Sequence, residues 1–162
     1  MIGMFLGHDE ILRRIREEGL LENYQSANVQ GAGVDLRVKK IMEPKSGGKI
    51  GVSNRRLPEF EDTDFLLKPG GYYLFVTMER VNMPEDLVAF MLNRSSLFRC
   101  GASLRTAVID PGYHGELTVG IKNEGEYEIE LEAGARVLQL VFSEVTGGTR
   151  GYDGRYQGGR VV

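Results

Sequence analysis

From Gly33 to Val145 the chain is cut into short apolar runs, most with a period of two, separated by Gly, Asn and Glu-Gly breaks. A period of two puts successive side chains on opposite faces of a strand. "VDLRVKKI" alternates apolar and polar residues, and "YYLFVTMERV" is rich in aromatic and β-branched ones. "DLVAFML" is almost wholly apolar, as a buried strand is, and "ELTVGIKN", "YEIELEAG" and "ARVLQLVFSEV" follow. Many short strands with tight turns between them predict an all-β, jelly-roll-like distorted β-barrel. The 22 glycines fit that number of turns.

Only one helix is expected, over residues 9 to 18, "DEILRRIREE". His8 or Asp9 is its expected cap, Ile11, Leu12 and Ile15 its apolar stripe, and Gly19 its end. Residues 43 to 58, "EPKSGGKIGVSNRRLP", form a polar insertion, a loop or hairpin. A length of 162 residues suits one domain with a sizeable core. The expected division is a helix at 9–18, a barrel at 31–146 and a C-terminal lid at 147–162.

Net charge is -3, which speaks against a general binder of nucleic-acid polymers but allows a local basic pocket. The single cysteine, Cys100, excludes an intrachain disulfide and fits a reducing compartment. One cysteine and two histidines cannot build a Cys/His zinc centre, so a zinc-dependent nucleotide deaminase is excluded. The N-terminus is too short and too quickly charged for a signal peptide or a membrane span.

Five segments carry side chains suited to a phosphorylated ligand. "LNRSSLFR" places Arg94, Ser95, Ser96 and Arg99 within six positions; guanidinium forks and hydroxyls suit phosphate. Taken alone, it is more simply a polar turn with serine caps. "GAGVDLRV" sets Asp35 after a glycine-flanked turn, able to orient an arginine or to serve as a plain turn acid. "TAVIDPGYHGEL" puts Asp110 ahead of a Pro-Gly turn, where an acid with little solvent could activate water. There Tyr113 could stack on a sugar or base, or fill the core. Gln139 falls in the apolar strand "GARVLQLVF", either buried with a partner or facing solvent. The tail, "GGTRGYDGRYQGGRVV", holds six glycines together with Arg155, Tyr156 and Gln157. It reads equally as a frayed end or a lid that closes over a ligand.

Together, "GAGVDLRV", "RSSLFRCGA", "AVIDPGYHGEL", "GARVLQLVF" and "GRYQGG" resemble the dUTPase/dCTP deaminase superfamily, with the archaeal-type dUTPases the nearest pattern. The resemblance runs from about Gly31 to the tail. It implies a jelly-roll-like β-barrel assembling as a homotrimer with sites at subunit interfaces. It also implies that Arg94, Ser95 and Ser96 hold triphosphate oxygens and that Asp110 deprotonates the attacking water. Tyr113 would lie under the deoxyribose, and the backbone of Gly115 to Thr118 would read the base. Gln139 would contact phosphate or water, while Asp35 and Arg99 would support the phosphate site. Arg155, Tyr156 and Gln157 would cover the ligand, on a neighbouring subunit. Mg²⁺ would arrive on the triphosphate with its own waters, with no metal bound directly by protein side chains. A cytoplasmic location is expected.

Within that superfamily the zinc-free deaminases carry a glutamate on the strand after the Asp-Pro-Gly turn, three residues before an asparagine. Counting back from Asn123, this chain has Gly120 there. Glu116 keeps the strand face but lies more than ~10 Å away along the strand. The expected reaction is therefore hydrolysis of dUTP to dUMP and pyrophosphate by attack at the α-phosphorus. The alternatives are a dCTP deaminase, mono- or bifunctional, and a non-catalytic nucleotide-binding protein.

Overall fold

A computed structural model describes residues 4 to 162. Helix α1 (His8–Glu18) is followed by β1 (Leu21–Glu22), a 3₁₀ turn (Ser26–Asn28) and the long strand β2 (Val34–Pro44). The polar insertion is a small hairpin, β3 (Lys49–Ile50) and β4 (Arg55–Arg56). Then come β5 (Phe60–Thr63), β6 (Leu66–Leu67), β7 (Tyr72–Asn82) and β8 (Leu87–Asn93). A second helix, α2 (Ser95–Arg99), precedes β9 (Ala102–Arg105), β10 (His114–Asn123), β11 (Ile129–Glu130) and β12 (Arg136–Glu144).

The main sheet runs β8-β12-β2-β7-β10-β9, with β1 added to β7 and β5 to β2. Strand β2 joins its two halves. Residues 34 to 37 pair with β12, then a register shift between Val38 and Lys40 turns the strand onto β7. Such a shift bends a strand and lets one sheet curl toward closure. Closure comes from a rung just past β9, where the amide and carbonyl of Ile109 pair with those of Ala89 on β8, at 2.9 and 3.0 Å. The alternation read from the sequence is the wall of this barrel. Leu36, Val38, Phe75, Ile121, Leu138, Leu140 and Phe142 are fully buried inside it. Replacing Phe142 by Ala is expected to cost about 3–5 kcal/mol in a urea unfolding titration.

Two expectations about helices are corrected. Helix α1 starts one residue early and its cap is Gly7, with no side-chain cap from His8 or Asp9. The His8 ring bonds Asp9 instead, so neither reaches back to the orphan amides. Ile11 and Ile15 are buried as expected, and left-handed Gly19 ends the helix. Arg14 adds a tether not foreseen: its guanidinium pairs with Asp86 before β8 and with Glu18. That contact holds the Asp86 carboxyl below its ordinary range. The second correction is α2, a second helix where only one was expected, on the segment read as a polar turn whose serines cap a helical turn. Its cap is Arg94, without a side-chain bond, and it is pinned by buried Leu97.

Candidate active site

Asp110 is placed by the rung that closes the barrel. Ile109 is held on β8, and Pro111 is buried behind it. The Gly112 amide donates to the Met83 carbonyl at 3.0 Å, and the Tyr113 amide to the Asp110 carbonyl at 3.2 Å. Gly112 needs its positive φ of 84°, and a Cβ there would lie 2.8 Å from the Tyr152 amide nitrogen. The backbone is therefore fixed, but the carboxylate is exposed, not shielded as expected. The turn sits at a cavity mouth.

Tyr113 points inward and is buried; its hydroxyl donates to the Glu116 carbonyl at 2.6 Å. Tyr152 meets its ring edge-on at 5.5 Å between centroids. Burial, then the neighbouring Tyr152, pushes the Tyr113 phenol up from 10.0 to about 12. The unfolded chain's phenol ionises first on that interval. The contribution is thus fully present below pH 10.0 and is lost as pH rises toward about 12. Melting curves across that range should fall more steeply for the native protein than for Tyr113→Phe.

Beyond the turn, β10 carries a register shift between Glu116 and Thr118. Thr77 fills it: its hydroxyl accepts from the Leu117 amide at 3.0 Å and donates to the Glu79 carbonyl at 2.9 Å. Removing that hydroxyl strands a buried amide. Thr77→Val should cost about 1–3 kcal/mol, read by chemical denaturation.

The tail lies on this same chain's turn. Gln157 is the clamp. Its side-chain oxygen accepts from the His114 amide at 2.8 Å, and its nitrogen donates to the Gly112 carbonyl at 3.0 Å. The Gly158 amide donates to the His114 carbonyl at 2.8 Å. The tail is thus tied to the turn rather than frayed.

These elements enclose a cavity of about 520 Å³. Asp110, Tyr113, Tyr152, Tyr156 and Arg160 line it, with Asp110 as its one acidic side chain. Arg155 is exposed and lines neither this cavity nor the next. A second hollow of about 380 Å³ is lined by Gln30, Asp35, Asn93, Arg94, Ser95 and Gln139. Here Asp35, 4% exposed, lies 3.3 Å from both the Arg94 Nε and an Arg136 guanidinium nitrogen. Gln30 also donates to it at 3.2 Å. Asp35 thus orients two cations, and Gln139 turns its half-buried amide toward the same hollow. Ser96 and Arg99 lie outside both hollows. Arg99 donates to the Ser95 carbonyl at 3.0 Å and sits 4.9 Å from the Phe98 ring centroid.

One chain thus holds Asp110 and the cationic cluster in separate hollows. Gln30, Arg136 and Tyr72 were not foreseen. Arg136 belongs to the "GARV" motif, but no sequence signal marks the other two. Glu116 is tied to Lys39 at 2.7 Å and does not line the cavity. Among the described residues, no group of three or more His, Cys, Asp or Glu could hold a metal ion. No helix among them is long and apolar enough to cross a membrane.

A family model described as dCTP deaminase-like matches residues 5–145. A probable deoxyuridine 5'-triphosphate nucleotidohydrolase of Archaeoglobus fulgidus is 36% identical, covering 96% of this chain and 97% of that one. A dCTP deaminase of Thermococcus kodakarensis is 34% identical, covering 91% and 90%. Among solved structures, the 2'-deoxycytidine 5'-triphosphate deaminase of Agrobacterium tumefaciens shares the fold with a TM-score of 0.71 at 22% identity. That match covers 90% of this chain, which spans about half (49%) of that structure. The EIAV dUTPase matches with a TM-score of 0.54 at 18% identity, covering 85% and 93%.

Proposed function

The chain belongs to the dUTPase/dCTP deaminase superfamily, and on that premise we propose that it hydrolyses dUTP to dUMP and pyrophosphate. The observation that carries this reading is the exposed Asp110 on a rigid turn, the single acidic side chain of a cavity whose wall is bare backbone at Gly120. The reaction needs one base at phosphorus; deamination needs a second acid at the pyrimidine ring.

In this reading a water donates a hydrogen bond to the Asp110 carboxylate and attacks the α-phosphorus. Its proton passes to Asp110 as the bond to the pyrophosphate oxygen breaks. Arg94, held by Asp35, and Ser95 take the triphosphate oxygens, with Gln139 beside them. Tyr113 supports the deoxyribose, and the tail with Tyr156 and Gln157 keeps bulk water away. The substrate is dUTP carrying Mg²⁺, because a lone carboxylate suits a cation that keeps its waters and its phosphate ligands. Catalysis is then mainly positioning and charge neutralisation.

The separation of the two hollows supports a homotrimer in which one copy's Arg94 cluster faces the next copy's Asp110 cavity. The cytoplasmic nucleotide pool is the setting this reaction expects. The deaminase-named relatives, at 34–36% identity, keep dCTP deamination as the second reading. Incubation with Mg²⁺ and dUTP, dCTP, dTTP or UTP separates the two. Pyrophosphate from dUTP without ammonia from dCTP is expected. Ammonia from dCTP would favour the second reading. Binding of dUTP without any product would favour a non-catalytic protein.

A further inference from the structure

The reaction at phosphorus leaves one wall of the cavity unused. On the β7–β10 pair, Tyr72 stands opposite Lys122 and Gly120 opposite Leu74. Tyr72 and Gly120 are therefore diagonal neighbours on one face of the sheet. A Cβ at residue 120 would lie 2.5 Å from the Tyr72 hydroxyl and 2.9 Å from the Arg105 Cβ. Both are far inside ordinary contact, so the Tyr72 phenol occupies the room a side chain at 120 would need.

Both residues line the cavity of Asp110 and Tyr113, and so does Thr118, two residues earlier on the same face of β10. The Thr118 hydroxyl is buried and, among the described residues, has no partner. Tyr72, 41% exposed, faces the open space. Arg105 borders this wall, but its guanidinium is committed to Ser103 and Glu124, at 2.9 and 2.6 Å. What the wall offers a ligand is thus a phenol and a hydroxyl. A phenol supplies one donor and one acceptor.

We propose that Tyr72 is a specificity-determining residue: seated over Gly120, its phenol, with the Thr118 hydroxyl, reads the polar edge of the pyrimidine ring. The ligand class is a pyrimidine deoxynucleotide recognised through uncharged hydrogen bonds. The inference rests on the proposed function, since the backbone expected to meet the base ends at Thr118. A site built to bond one ring substituent rejects a ring that lacks it, because its own polar groups are then left unpaired. Residue 120 and residue 72 also form one unit: neither can be enlarged without moving the other.

Two experiments test this. First, Tyr72→Phe removes only the hydroxyl. It should raise KM for dUTP about tenfold, leave the larger part of kcat, and lower the dUTP/dCTP ratio of kcat/KM by about tenfold. A purely structural tyrosine would not change that ratio. Second, calorimetric binding of dUMP is compared across Gly120→Ala, Tyr72→Leu and the double variant. Gly120→Ala should weaken dUMP about tenfold beside Tyr72 and much less beside leucine. An unchanged selectivity ratio in Tyr72→Phe, or strictly additive effects in the cycle, overturns the proposal. The binding arm needs no turnover. Protein that binds dUMP with the expected coupling but releases no pyrophosphate refutes the hydrolase reading and upholds this one. Protein that hydrolyses dUTP with selectivity indifferent to residue 72 does the reverse. Failure to bind any pyrimidine nucleotide overturns both.

Discussion

Asp110→Asn should lower pyrophosphate release from dUTP by about 10²–10⁴-fold, the usual worth of a general base. Asparagine keeps the size and one acceptor oxygen but cannot take the proton of the attacking water. The turn beneath it is set by backbone bonds through Ile109, Gly112 and Tyr113, none of which uses the carboxylate. The side chain is exposed and, among the described residues, has no hydrogen-bond partner of its own. Melting temperature and dUMP affinity should therefore hardly move, since exposed substitutions away from special contacts stay within about 0.5 kcal/mol. Kinetics, melting and binding measured on one preparation distinguish a lost base from a lost fold. Turnover that survives would remove Asp110 from the reaction.

The second large effect concerns the tail. A chain ending after Tyr152 keeps the edge-on contact with Tyr113 and the bond from its amide to the Pro111 carbonyl, at 2.9 Å. It loses Tyr156 and Arg160 from the cavity and the Gln157 clamp from the turn. Turnover should fall about 10²-fold, the scale on which a slight misplacement of reacting groups acts. None of the lost residues belongs to the barrel core, so the melting temperature should shift by only a few degrees. Collapse of the fold on truncation would instead make the tail a structural strap.

The barrel was legible because a half-buried strand writes its period into the sequence. "YYLFVTMERV" and "ARVLQLVFSEV" alternate, and Phe75, Leu138, Leu140 and Phe142 are inside accordingly. The two-residue β6 leaves no period to read, and of the run "YEIELEAG" only the two residues of β11 pair as a strand. Asp35, Arg94 and Gln139 were visible as motifs, and they converge because β2 and β12 pair in register at Asp35 and Gln139. The exposure of Asp110 was not legible, since solvent access depends on what lies across the turn. Tyr72 was invisible for a related reason. It reads as one more aromatic in a strand, and its neighbour over Gly120 is some fifty residues away in sequence.

The tail meets the Asp110 turn and the start of β10 backbone against backbone. A Cβ on Gly115 would lie 2.4 Å from the Gly159 nitrogen, and one on Gly112 2.8 Å from the Tyr152 nitrogen. Two stretches of main chain meet there at a distance no side chain can enter. Glycine in this seam serves as a spacer of zero thickness, in a segment whose composition suggests looseness. Cohesion in the seam rests on peptide dipoles and on one glutamine, with little apolar area or charge involved. Its strength should consequently change little with ionic strength, a setting in which contacts to a triphosphate weaken steeply. The cover and its cargo would then answer differently to salt.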